Sequence, residues 1–517
     1  MQFKNMLSLK FICACAIAGM MFTGLYSCSK NDVTGDDDTD GGSGTVTIDE
    51  TAYTSGTAEG STETGADEDD LVENSTFSST VSIDFGTSIT ITNPLSASGV
   101  TVTQTGSDVV ITSTVKEVEY VLSGTTTDGS VKIYSDNKFK LTLNGVSITN
   151  ADGPAINIQS SKRAFIVLAD NSTSSLTDGA TYATATGEED MKGTLFSEGQ
   201  IIFSGAGSLT VKGNYKHAIC SDDYVRVRSG NITISGAATD GIHTNDAFIA
   251  DGGTLSIKAS SDGIEAEEGF IIINDGTFTL DVADDGIAAS YEESDASITP
   301  YVTINGGTIT VTTSEGEGIE SKSVLTINDG NIAVQTADDG LNAGDAIYIN
   351  GGTVYAYSTG NDAMDSNGTF TVTGGKVIAI GARSPEAGID CDARTVKITG
   401  GLVIGTGGAT SAPSASVSTT YSVIMGGGNA SQIIHIEDAS GKEVLTFLSP
   451  TTYTTMLFAS TKLSAGTTYK VYTGGSVASG EETHGVYTSG TYTKGTSSAS
   501  FTTNSVVTQI GGTISRG

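Results

Sequence analysis

Thr254-Leu255-Ser256-Ile257-Lys258-Ala259-Ser260-Ser261-Asp262-Gly263-Ile264-Glu265-Ala266-Glu267-Glu268-Gly269-Phe270-Ile271-Ile272-Ile273-Asn274-Asp275-Gly276 is one unit of a recurring pattern. The unit reads as a strand, an Asp-Gly turn, a second apolar stretch and a closing Gly turn. Closing turns recur at Gly230, Gly253, Gly276, Gly307, Gly330, Gly352, Gly375 and Gly401, a period of roughly 23 residues. Apolar residues alternate after each turn (Leu255/Ile257, Ile309/Val311, Ile332/Val334). A second set precedes the next turn (Ile272, Val302/Ile304, Leu325/Ile327), and a single apolar residue follows the Asp-Gly turn (Ile242, Ile264, Ile287, Ile319, Leu341, Met364, Ile389). Three inward stripes per unit predict an all-β chain wound as a parallel β-helix, with Thr and Ser facing out. A propeller blade is too long for this period, and no Leu/Asn ladder marks a leucine-rich repeat.

The regular coils span about residues 110–410. Two strand-like runs, Val81 to Phe85 and Val100 to Thr103, are expected to cap the first coil, so the helix with its cap is placed at 76–410. Beyond it the period is lost. Ile433 to Glu437, Val444 to Leu448, Met456 to Ala459 and Tyr469 to Tyr472 predict antiparallel strands, a C-terminal β cap or small sandwich over 411–517.

At the other end, Lys4 and Lys10 lead into an apolar run from Phe11 to Phe22, then Leu25-Tyr26-Ser27-Cys28. Residues 1–27 read as a signal peptide, too short for a membrane span. Leu, a small residue and Cys resemble the bacterial lipobox, which makes Cys28 the lipidated N-terminus. The acidic stretch that follows resembles surface-export signals of Bacteroidetes lipoproteins, implying an outer-membrane or cell-surface address. Residues 28–75, rich in Asp, Gly, Ser and Thr, read as a disordered tether. Cys220 and Cys391 stand about seven coils apart, roughly 33 Å at strand spacing, beyond disulfide reach.

The chain carries 60 acidic and 25 basic residues among 517, a net charge of -35, with 66 Gly and no Trp. This charge argues against nucleic acid or a bare anionic membrane as partner. Much of the acid falls on the second turn of each coil: Asp240, then Asp262 with Glu265, Asp284 with Asp285, Glu317 with Glu320, Asp338 with Asp339, Asp362 with Asp365, and Asp390. One Asp per turn is ordinary turn chemistry, because Asp-Gly suits a positive-φ turn. Doubled acids stacked coil on coil are not. Carboxylates about 4.8 Å apart repel by roughly 0.9 kcal/mol in water and about 3.5 kcal/mol at an effective dielectric of 20. Clustered carboxylates and turn carbonyls are the hard oxygens Ca²⁺ takes. The insertion at 289–300 brings Glu292, Glu293 and Asp295 beside this ladder as a possible ligand-binding loop. His217 and His243, on neighbouring coils, read as variants of the turn station.

The Asp-Gly-Ile turns and Gly-Gly-Thr strands resemble a bacterial family of carbohydrate-binding β-helix proteins. So do Leu141 to Ile148, Ala155 to Ile158, Ser175 to Gly179 and the acidic insertion. The resemblance implies a right-handed, calcium-dependent β-helix that binds acidic polysaccharide such as polygalacturonate. It also implies metal ligands among Asp240, Asp262, Glu265, Asp284, Asp285, Glu317 and Asp339, and Glu320 on the same turn edge joins them as a candidate. His217 and Ala387 depart from the pattern at the Asp position. The expected function is glycan binding without catalysis. The alternatives are a calcium-dependent lyase, with Lys258, Lys322 or Arg383 as base, and an adhesin in which calcium is structural.

Overall fold

The computed structural model describes residues 44–49, 52–185, 187, 189–292 and 295–515. The signal peptide, Cys28 and Glu293 lie outside the described residues. Three parallel stacks of strands form a β-solenoid. Within the quoted coil they are Thr254–Ala259, Ile264–Ala266 and Phe270–Ile273. Each strand pairs in register with its counterpart in the next coil: Leu255 with Phe278, Ile264 with Ile287, Ile271 with Val302. The short strands between the two turns stack into a 13-stranded sheet.

The inward columns are apolar and almost without exposure, as the period requires. One expectation is off by a residue. Ile271 and Ile273, not Ile272, point into the core with Val302 and Ile304. A run of three isoleucines carries no alternation, so its register is set by stacking. The Asp-Gly turns also differ from expectation. Gly263 has no positive φ; an added Cβ would collide with Leu280 and with the Gly286 carbonyl. Close packing demands glycine there, whereas at the closing turn Gly253 has φ +87°.

Parallel stacking begins earlier than residue 110. Ser79–Phe85 pairs parallel with Val118–Thr126 and antiparallel with Ile89–Thr92, so the first run is itself a coil strand. The last coil strand, Leu402–Gly407, is covered by the antiparallel strand Tyr453–Ser460. Ile433–Asp438, Glu443–Leu448 and Thr468–Thr473 join a six-stranded C-terminal sheet close to the expected boundaries. Both ends of the solenoid are thereby paired.

Residues 52–75 depart from the tether read from composition. The segment is a strap laid lengthwise on the solenoid. Its carbonyls accept from a column of asparagines: Asn350 to Glu59 (2.7 Å), Asn328 to Ser61 (2.9 Å), Asn305 to Glu63 (2.8 Å) and Asn274 to Thr64 (2.9 Å). Asn350, Asn328 and Asn305 each also donate to the asparagine below at 2.8 Å, and Asn274 ends the column by donating to Asp251 (2.9 Å). The strap explains the outward burial of Ile249, Ile272 and Thr326, which lie beneath it. Its far end holds Asp70, fully buried, against Arg226 (3.2 Å) and Arg163 (2.7 Å). Thr45–Asp49 pairs antiparallel with Ser489–Thr493. Acidic composition did not prevent order here because the strap's carbonyls and its buried Asp70 find donors on the coil surface.

Arg226→Met strips a buried carboxylate of one cation, which typically costs about 3–5 kcal/mol. We expect denaturant unfolding to report that loss. Limited proteolysis should cut between residues 52 and 75 in the variant and spare the wild type; cutting there in both would contradict the strap.

Candidate functional site

The second turn of each coil places two columns of side chains on one edge. Strand pairing stacks His243, Glu265, Ala288, Glu320, Asn342, Asp365 and Asp390 in one column. The residue two before each inward apolar residue of the turn, followed by glycine except at His217 and Asp362 where alanine follows, forms the other: His217, Asp240, Asp262, Asp285, Glu317, Asp339, Asp362, Ala387. Within the second column, one carboxylate oxygen accepts a backbone N–H from the next coil. Asp285 N donates to Asp262 Oδ1 (2.9 Å), Glu317 N to Asp285 Oδ1 (2.8 Å) and Asp362 N to Asp339 Oδ1 (3.0 Å). The acids thus tie coil to coil, and their remaining oxygens converge.

Three oxygen-only clusters result: Asp240, Asp262 and Glu265; Asp262, Asp284 and Asp285; Asp285, Glu317 and Glu320. In each, one oxygen per residue lies within 4.8 Å of the others. Two oxygens bound to one Ca²⁺ at about 2.3–2.6 Å stand at most about 5 Å apart, so these sets suit a hard cation. A fourth cluster, Asp362, Asp365 and Asp390, lies outside the ligand set that the resemblance implied. Seven of the eight candidate ligands are therefore brought together. Asp339 is not, and the cause is Asn342. It takes the place of an acid in the first column, and its Nδ2 donates to Glu317 Oε1 (3.3 Å).

Burial and neighbouring charge raise the carboxyl pKa values of Asp262 to about 8, Asp285 to about 10 and Asp339 to about 8. For Asp262 the neighbours are Asp240 and Glu265, and for Asp285 they begin with Glu317. Asp240 differs. Burial opposes its charge, yet His217 and His243 hold its carboxyl well below the usual range. Both His Nδ1 atoms approach Asp240 Oδ2, at 2.8 and 3.1 Å, with the rings stacked 4.2 Å apart. His243 also meets Glu265 (2.9 Å), and despite burial its carboxylate partners raise its pKa to about 9. The imidazolium serves as a cation at the first step of the ladder. The two histidines share a carboxylate, a role that their spacing alone did not show.

Lys322 bridges Glu320 (2.5 Å) and Glu292 (2.8 Å), which joins the insertion to the ladder. Burial alone would lower its pKa; the two carboxylates raise it above the ordinary lysine range. Lys258 does not reach the ladder and pairs with the exposed Asp281 (2.6 Å). Asp295 binds Ser297 within the insertion (2.7 Å) and belongs to none of the clusters. Cys220 and Cys391 are free and buried.

A family model, carbohydrate-binding domain-containing protein, matches residues 105–363, which hold nearly the whole ladder. The chain belongs to this family. A carbohydrate-binding domain-containing protein of Acetivibrio thermocellus is 31% identical over 115 residues, or 22% of this chain. The match spans 40% of that relative's length. The solved structure of a polysaccharide lyase-like protein from C. thermocellum, a gadolinium derivative, aligns at 24% identity with a TM-score of 0.41. That alignment covers 52% of this chain and 96% of the other.

The raised carboxyls bind protons more tightly in the folded chain than in the unfolded one. The stability they lend is complete below the unfolded carboxyl range, near pH 4. It is lost as pH rises through about 8 to 10. In chelator, the melting temperature should therefore fall between pH 5 and pH 9. Asp285→Asn keeps an oxygen for the Glu317 N–H and should flatten that slope. A wild-type melting temperature independent of pH over this interval would count against the ladder's energetics.

Proposed function

We propose that this family member is a surface-anchored lipoprotein that binds acidic polysaccharide, polygalacturonate-like, through Ca²⁺ held on the turn ladder. The observation carrying the reading is the run of converging carboxylates, buried at Asp240 and Glu320 and mostly half-buried between, whose described cationic partners, His243 and Lys322, sit at its margins. Asp240, Asp262, Glu265, Asp284, Asp285, Glu317 and Glu320 would hold the ion. Bound there, Ca²⁺ supplies charge neutralisation and open coordination positions for a uronate carboxylate. The family's description supports carbohydrate as the ligand class. A chain of net charge -35 needs such a cation to meet a polyanion. Cys28 would carry the lipid and place the protein at the outer membrane or cell surface.

The lyase alternative has less support. β-Elimination needs a neutral amine or another base poised to take a proton from the sugar. Lys322 stands beside the ladder, but its two carboxylates keep it protonated.

Retention on polygalacturonate should require Ca²⁺ and disappear in EDTA, whereas retention that resists EDTA would defeat the reading. Asp285→Asn with Glu317→Gln should weaken the calcium-induced rise in melting temperature at least tenfold in calcium affinity, as expected for loss of two charged ligands. Incubation with pectate should produce no unsaturated uronide absorbance. Stabilisation by calcium without glycan binding would favour the adhesin.

A further inference from the structure

An open groove of about 800 Å³ runs beside the ladder. Its floor crosses three successive coils, at Lys322, at Asn342 and Asp345, and at Asn367. The inserted segment supplies one wall, with Tyr291, Glu292 and Pro300. That wall is fastened to the floor: the Pro300 carbonyl accepts from Ser321 Oγ (2.7 Å) and Ser323 N (3.2 Å). The groove exists because the chain leaves the solenoid after Ala289 and rejoins it at Val302.

Lys322 stands between two carboxylates of different character. The Glu320 side chain is 6% exposed and fixed in the ladder, while the Glu292 side chain is 70% exposed. An exposed ion pair contributes little, so Glu292 can leave Lys322 and return to water at small cost. Glu320 cannot leave without burying an unpaired charge.

We propose that this groove binds an internal stretch of acidic glycan, with a uronate carboxylate replacing Glu292 on Lys322. The inference rests on the acidic-polysaccharide reading above and names its subsite. Asn342, Asp345 and Asn367 provide amide and carboxylate groups for sugar hydroxyls. The coil spacing of about 4.8 Å is comparable with the step between pyranose residues in an extended chain. Three coils therefore meet about three sugars. A solvent-open groove spanning three coils suits several linked sugars of a polymer rather than a single residue.

The test is calorimetric titration of the full chain, in calcium, with oligogalacturonates from monomer to pentamer. Affinity should climb to the trimer and then level. Glu292→Gln frees Lys322 and should tighten trimer binding about two- to fivefold. Lys322→Met should weaken it about ten- to a hundredfold, as for a lost charge-assisted hydrogen bond. Asn367→Trp, built from an exposed position, should block the groove while leaving calcium stabilisation intact. If Glu292→Gln and Lys322→Met both weaken binding, the pair is a structural latch and the proposal falls. If all three variants bind as wild type while Asp285→Asn with Glu317→Gln does not, the groove is wrong and the acidic-glycan reading stands. If the wild-type chain binds no oligogalacturonate, both fall together.

Discussion

A carboxylate held one strand spacing above another carboxylate is the constraint on which this molecule turns. Parallel stacking fixes that spacing, because the backbone hydrogen bonds between coils leave no freedom to move the acids apart. Each aspartate of the column from Asp240 to Asp362 accepts the next coil's N–H on one oxygen, as Asp262 does from Asp285. The acids are therefore part of the scaffold as well as its main electrostatic burden. Protons, an imidazolium or a metal can relieve that burden. The chain shows the second at His243, and the raised pKa values of Asp262 and Asp285 mark where the others are needed.

The rest of the architecture keeps that edge in register. The inward apolar columns hold the three faces together, and paired strands close both ends. On the outer surface, the asparagine column and the strap join coil to coil from Arg226 to Thr373. Polar ladders thus run along two surfaces of the solenoid. The asparagine ladder is neutral and satisfied by its own neighbours and by the strap. The acidic ladder has oxygens left over, which is why it is the candidate for binding.

Interruptions in the acidic columns are as informative as the acids. Asn342 donates to Glu317 and separates the cluster at Asp285, Glu317 and Glu320 from that at Asp362, Asp365 and Asp390. Ala288 removes one acid where Asp284 adds another. The insertion leaves the chain just after this step and returns Glu292 to Lys322. Charge, groove and insertion therefore coincide on one stretch of the edge.

The sequence by itself determined the solenoid, because a repeated spacing of apolar residues and glycine turns is local information. The same period placed the acids at one station and the insertion beside them. It did not determine which oxygens meet. That depends on coil-to-coil register and on single residues such as Asn342 and His217, whose effect appears once neighbours are stacked. The Asn274, Asn305, Asn328 and Asn350 repeat was visible in the sequence, but its partner was not. The strap has no period of its own and takes its order from contacts far away in the chain. Likewise Ile271, Ile272 and Ile273 are chemically alike, and tertiary packing decided which two face the core. Periodic burial is written locally; the pairing of polar groups between coils is a property of the assembled stack.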